Sequence, residues 1–264
     1  DADDSGLVHG RRLLVTSWYS KRGQGARLSF FDLGSRRYRH VLVVEPTSDD
    51  GRAGVRPLKV HAGGLAWHGP YVHVAATAKG VAVCHLDDLL RMPERGAGGV
   101  ETFGYRYLLP MRFWYAAETD EDVERFRYSF VSLARTSDGP QLVAGEYGNS
   151  RQTRRLTRFR FGDDHLLSTD PDGATEPAEV HDGGPLRMQG AVYLEGRWLA
   201  TTSHGPWTPG SVWSGRPSSM QRRRWAVPMG PEDLTIGGRE KLWTVTEHPS
   251  RRWVLAGHRP DVDS

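Results

Sequence analysis

Short apolar runs separated by turns dominate the pattern of this chain. Leu13-Leu14-Val15, Val72-His73-Val74, Val81-Ala82-Val83, Leu142-Val143-Ala144 and Trp198-Leu199-Ala200 each stand between polar or glycine-containing breaks. Runs of this length and composition read as strands, and little of the chain reads as helix. Hairpin turn chemistry appears at His9-Gly10, His68-Gly69-Pro70, Ser137-Asp138-Gly139-Pro140, Glu195-Gly196 and Gly237-Gly238. Third strands are predicted at 26–33, 80–86, 155–161, 211–214 and 252–256, with outer fourth strands at 38–44, 105–109 and 224–228.

The same phrase recurs five times: a small or polar pair, a strand, a turn, and a second strand ending in a polar or aromatic pair. The copies span 5–18, 63–77, 132–147, 189–204 and 232–248. Each copy is one supersecondary unit that needs neighbours to bury its faces, so repetition at this period indicates a β-propeller. The expectation is an all-β fold, a single β-propeller domain over 1–264, with five blades, or six if 91–125 hides a degenerate one. The last unit lacks an outer strand. The acidic stretch 118–124 reads as a solvated loop, since its spacing matches no calcium motif, and 163–184 reads as a surface loop.

Composition narrows the classes of function. Hydrophobic content is 38% and mean hydropathy is −0.56, as in a soluble globule. Nine Trp and nine Tyr supply the large apolar area of a β-rich core. Without a run of about 18 apolar residues, no membrane span is expected. A net charge of +3, from 35 basic and 32 acidic residues, argues against nucleic acid as a partner. Lysine occurs only at Lys21, Lys59, Lys79 and Lys241, and Asn149 is the single Asn, a skew that looks like codon bias. Arg154-Arg155 and Arg222-Arg223-Arg224 read as solvated surface. Cys84, the single cysteine, reads as a core residue, leaving no disulfide framework and no cysteine metal site. The chain starts at Asp1, as a mature secreted protein or a trimmed piece of a longer chain would; an extracytoplasmic location is expected, and so, separately, is a monomer.

In a propeller blade the second strand returns antiparallel to the innermost one, so its end shares a face with the first strand's start. This places strand starts Asp3, Asp4, His61, Ser129, Gln189, Glu232 and Asp233 at the same mouth as strand ends Trp18, Tyr19, Thr77, Glu146, Tyr147, His204, Glu247 and His248. The loop carrying Trp207 forms part of the rim. Carboxylates crowded in a concave site raise one another's pKa, so that one serves as an acid while another stays ionised. Histidine beside glutamate offers an oriented base. Glu232, Glu146, Glu247, His61 and His204 are the candidate catalytic residues. Trp18, Tyr19, Tyr147, Gln189, Trp207 and His248 are the candidate substrate-binding residues. Asp233 is expected to turn toward backbone amides, and a calcium or transition-metal site built from His and Glu stays open.

The phrases His61-Ala-Gly-Gly-Leu65, Met188-Gln-Gly-Ala191, Gly230-Pro-Glu-Asp-Leu234 and Leu242-Trp-Thr-Val-Thr-Glu-His-Pro249 resemble those of uncharacterised secreted propeller proteins from actinobacteria. That resemblance implies a fold and an export route. More loosely, the chain is similar to propellers of the gluconolactonase and strictosidine-synthase kind. Their channel metal is held partly by a Glu at an inner-strand start, the position of Glu232 here; their Asn ligands have no counterpart. Five-bladed glycosidases are the other comparison, and they use carboxylates around the same mouth. The expected function is acid–base hydrolysis, or a lyase or cyclising step, on a small polar or carbohydrate-like substrate. A lectin-like binding propeller using Trp18, Tyr147 and Trp207 is the alternative, but its blades would repeat one pocket, whereas these differ.

Overall fold

The computed structural model describes residues 8–93, 101–194, 196–237 and 241–258. The expected strand starts at Asp3 and Asp4, and the turn residues Glu195 and Gly238, lie outside them. Apart from one 3-10 turn at Leu86–Asp88, the regular elements among the described residues are strands, and the fold class is all-β, built from the meander sheets of a β-propeller. The chain divides into two compact units, Asp1–Ala117 and Glu118–Ser264.

In the first unit, β1 (Leu13–Tyr19), β2 (Ala26–Asp32) and β3 (Arg37–Asp49) form an antiparallel meander, and β4 (Arg52–Pro57) folds back on the far half of β3. A second meander follows, with β5 (Leu65–His68), β6 (Tyr71–Ala75) and β7 (Gly80–His85), then the short β8 (Leu90–Arg91) and the long β9 (Tyr107–Ala116). The outer strands expected at 38–44 and 105–109 are present, but both run on. β3 and β9 pair in parallel where Leu42 meets Leu108 and Val44 meets Pro110, joining both meanders into one nine-stranded sheet. The cause is local: Val41, Leu42, Val43 and Val44 are all buried, so both faces of β3 are covered and alternation is lost. Val41 and Val43 pack with Leu109 and Met111, whereas Leu42 and Val44 pack with Met92 and Leu108.

The second unit holds three sheets. They are β10 (Phe130–Thr136), β11 (Gly139–Gly145), β12 (Leu156–Arg160) and β13 (Glu179–His181); then β14 (Met188–Leu194), β15 (Arg197–Thr202), β16 (Gly210–Gly215) and β17 (Gln221–Val227); then β18 (Pro231–Gly237), β19 (Lys241–Thr246) and β20 (Val254–His258). Each is an antiparallel meander in chain order, and the third lacks a fourth strand among the described residues. β13 falls inside the stretch 163–184 that reads as loop. Residues 118–124 are exposed and irregular, as expected, and 107–116 serves as the outer strand of the second meander rather than as a further blade.

The first strands of the three sheets lie side by side, with β14 between β10 and β18. Phe130, Val143, Leu156, Met188, Ala191 and Trp198 fill the core between the first two sheets, and Val192, Leu199, Leu234 and Leu242 fill the next. Where β14 meets β18 the approach is main chain to main chain: a Cβ on Gly190 would lie 2.6 Å from the Leu234 nitrogen. Only glycine fits there. Polar stitches accompany these cores. Ser132 Oγ donates to the Ala191 carbonyl at 2.6 Å, and Thr201 Oγ1 donates to the Glu232 carbonyl at 3.3 Å.

Cys84 is fully buried on β7, where burial pushes its thiol up to about 12, so it is a core residue and not a nucleophile. His73 is likewise buried on β6, and burial pushes its pKa down to about 3, so it is neutral in the folded chain. Unfolding frees it to bind a proton below its ordinary value of 6.5. The stability it contributes is therefore complete above pH 6.5 and is lost progressively as pH falls toward 3. Over that interval the loss approaches about 4 kcal/mol. In urea titrations at pH 7 and pH 4, His73→Leu should lose less stability on acidification than the native chain; equal losses would contradict this assignment.

Candidate functional site

β18 starts at a tight junction. Gly230 has φ +63°, and a Cβ there would come within 2.6 Å of His248 Nε2 and 3.0 Å of Glu247 Cγ. Glycine thus lets the start of β18 lie directly against the end of β19, where the Glu247 amide donates to the Gly230 carbonyl at 2.9 Å. The ladder then slips: Pro231 pairs with Thr246 and Leu234 with Thr244, leaving both Glu232 and Asp233 opposite Val245. A bulge of this kind re-aims side chains at the end of a strand. Its main chain is fixed by two hydroxyls, because the Glu232 carbonyl accepts from Thr244 Oγ1 at 3.1 Å as well as from Thr201. Asp233 turns to the backbone as expected, its Oδ1 accepting from the Leu234 amide at 2.8 Å.

The Glu232 side chain is half-buried. Burial, with a second contribution from the charge of Glu247, raises its pKa to about 8. At neutral pH Glu232 therefore carries a proton. Glu247 is 44% exposed, and His248 Nε2 stands 4.0 Å from Glu247 Oε1. That nitrogen is buried and has no hydrogen-bond partner among the described residues. Glu232, Glu247 and His248 thus form one cluster: a protonated acid, a solvent-facing carboxylate and an imidazole. Gln189 lies on the neighbouring strand, at the equivalent bulge between Met188 and Gly190, and Gly190 touches Asp233.

Glu146 has a different environment. It is fully buried, and all four of its contacts are filled: Oε1 accepts from the Arg127 amide at 3.0 Å and Arg155 Nη2 at 2.9 Å, and Oε2 accepts from the Arg155 amide at 2.8 Å and Arg155 Nε at 3.1 Å. Burial pushes its pKa up, but the Arg155 guanidinium and the two amides outweigh it and hold the carboxyl below its ordinary value. The result is a closed ion pair clamping the end of β11 to the start of β12. His204 is also bonded within its own sheet. Its Nε2 accepts from Arg222 Nη2 at 2.8 Å and lies 3.0 Å from Ser211 Oγ. Burial, then the charges of Arg222, Arg187 and Arg224, lowers its pKa, so the ring stays neutral.

Tyr147 is 40% exposed and Trp207 is 76% exposed. The Arg251 guanidinium lies 4.2 Å over the Trp207 ring. Trp18, Tyr19 and His61 belong to the first unit. There Trp18 Nε1 donates to Thr16 Oγ1 at 2.8 Å, and Tyr19 packs on His61 with ring centroids 4.2 Å apart. The sequence reading missed Gly230 as the residue that admits His248, the two threonines on the Glu232 carbonyl, and the ordered arginines Arg222 and Arg251. A glycine immediately before the Pro-Glu pair is the one local signal of the first. Nothing in the sequence separates Arg222 from Arg223.

Among the described residues no group of three or more His, Cys, Asp or Glu side chains could hold a metal ion. Glu232 and Glu247 make a pair, and a protonated Glu232 is a poor ligand. These residues therefore do not fit the channel metal that the gluconolactonase resemblance implies.

No known family pattern matches the chain, and no curated protein sequence matches it. Among solved structures it is similar to a PQQ-bound aldose sugar dehydrogenase from Streptomyces coelicolor, with TM-score 0.45 and 14% identity over 95% of this chain and 91% of the other. It is also similar to the Cps50 (Swd1) β-propeller domain of Myceliophteria thermophila, with TM-score 0.38 and 10% identity over 91% and 94% of the two chains. A luciferin-regenerating enzyme gives TM-score 0.36 and 11% identity over 94% and 81%. Likeness at this level says nothing about the chemistry of this chain.

Proposed function

We propose that the chain is an extracytoplasmic enzyme that cleaves a bond to oxygen in a small polar or carbohydrate-like substrate by acid–base catalysis, either hydrolysing it or eliminating across it. What carries this reading is the Glu232 carboxyl, its pKa raised to about 8 by burial and by the charge of the exposed Glu247. Opposed protonation of neighbouring carboxyls is how one site supplies acid and base at the same pH. Glu232 donates its proton to the leaving-group oxygen as the bond to that oxygen breaks and its electron pair moves onto the oxygen. The Glu247 carboxylate takes the matching proton, from an attacking water in hydrolysis or from the adjacent carbon in elimination. His248, Gln189 and Tyr147 contact the substrate. Glu146 takes no part, since its oxygens are occupied. A binding protein that uses the exposed Trp207 face is the competing reading, and it needs no proton on Glu232.

Site-specific 13C observation of the Glu232 carboxyl should show it titrating near pH 8. A midpoint in the ordinary carboxylate range would remove the proposed acid. Glu232→Gln should lower turnover about 100-fold or more on whichever member of a panel of aryl glycosides, lactones and oligosaccharides is cleaved. Native turnover should fall as pH rises through about 8. Stability behaves in the same sense. The native chain is most stable below pH 4.5 with respect to this group and loses that contribution as pH rises toward 8, whereas Glu232→Gln keeps it. Glu146→Gln, by contrast, should cost about 3 kcal/mol of stability by leaving Arg155 buried and unpaired. Retention of native stability in that variant would show that the clamp is dispensable.

A further inference from the structure

The arginines of this chain have two kinds of partner. Arg112, Arg155 and Arg158 each meet a carboxylate, on Asp88, Glu146 and Glu179. Arg222 and Arg251 are held as firmly, but only by neutral groups. Arg222 donates through Nε to Ser211 Oγ at 3.0 Å and through Nη2 to His204 Nε2 at 2.8 Å, and its guanidinium lies 5.5 Å from the centre of the Trp213 ring. Arg251 donates through Nη1 to the Pro206 carbonyl at 2.9 Å and stacks on Trp207 at 4.2 Å. Because His204 Nε2 is the acceptor, the imidazole adds nothing to offset Arg222. No carboxylate pairs with either guanidinium among the described residues. Two cations are thus ordered in advance with their charge uncompensated, so an anion arriving there finds the side-chain entropy already lost.

Both arginines grip the same short segment, one at His204 and the other at Pro206. That segment leaves and rejoins the sheet beside Glu232. Thr201, three residues before His204, donates to the Glu232 carbonyl. Gly210, where the segment ends, abuts Pro231, and a Cβ there would lie 2.6 Å from Pro231 Cγ. Arg251 sits in the turn that follows the acid–base pair, its amide donating to the His248 carbonyl at 3.0 Å. The charges of Arg187 and Arg224 also reach His204. The exposed Trp207 ring adds a flat apolar face at the same place, suited to a sugar ring.

We propose that the substrate is an acidic saccharide whose carboxylate or sulfate group is held by Arg222 and Arg251 on the segment whose two ends meet the strand that carries Glu232. This names the substrate class of the proposed acid–base site and rests on that reading. The planar guanidinium presents a fork of donors that matches either oxyanion. With Glu232 protonated, the carboxyl pair carries one negative charge instead of two, which lessens its repulsion of an anionic substrate.

Calorimetry with galactotriose, trigalacturonate and a sulfated galactotriose tests the proposal on the intact chain. Trigalacturonate or the sulfated sugar should bind more tightly than neutral galactotriose, and which of the two binds identifies the acidic group. That binding should weaken as salt is added. Arg222→Gln and Arg251→Gln should each reduce it about tenfold or more, with native circular dichroism. Equal affinity for neutral and charged sugars, binding by neither charged sugar, or unchanged affinity in both variants would overturn it. If the variants do not fold, the charged-to-neutral comparison and its salt dependence in the native chain still decide. Glu232→Gln separates this proposal from the one beneath it. Charge-selective binding with native turnover in that variant removes the acid and leaves the anion subsite, whereas loss of turnover without charge selectivity does the reverse.

Discussion

The close passage of β14 over β18 is the constraint on which the candidate site depends. Gly190 gives up its side chain so that one main chain runs directly against another. The ladder of β18 then slips at that contact, placing Glu232 and Asp233 opposite a single residue. Two buried threonines, Thr201 and Thr244, hold the slipped carbonyl. Any larger residue at 190 would push β18 outward and carry Glu232 with it. Burial at this junction, with the charge of Glu247 beside it, is what raises the pKa of Glu232.

Two glutamates at matching places in two repeats show how context divides like residues. Glu146 and Glu247 both end the second strand of their sheet. Arg155 reaches the Glu146 carboxylate, whereas Arg252 donates to the main-chain carbonyl of Glu247 at 2.9 Å and the Glu247 side chain faces solvent. One carboxylate is thereby closed in by its ion pair, and the other stays open to solvent.

The sheets were legible in the sequence because strand alternation and turn chemistry are local. The hairpins at His68-Gly69-Pro70 and Ser137-Asp138-Gly139-Pro140 announce themselves within a few residues. β13 was not legible. Its Glu179 is tied in by Arg158 and by Thr157 Oγ1 at 2.7 Å, so side-chain pairing holds it where apolar alternation is missing. The extension of β3 past Val44 was hidden for a related reason: Glu45, Pro46, Thr47 and Ser48 carry no apolar signal, and pairing with β4 holds them in the sheet. Of the site, Glu232 stood out because a Pro-Glu-Asp start has no apolar purpose. The pairing of Glu146 with Arg155 is a matter of register between strands, which one sequence does not carry.

The parallel seam between β3 and β9 has its own consequence for how the chain reaches this state. The three sheets of the second unit close between neighbours in sequence, so each can zip up from its own hairpin. The seam in the first unit joins segments far apart along the chain, with a whole meander between them. Its loop entropy must be met before its hydrogen bonds return anything. The first unit should therefore complete its sheet last and all at once, so its arrival in the native state depends on Leu42 and Leu108 finding each other.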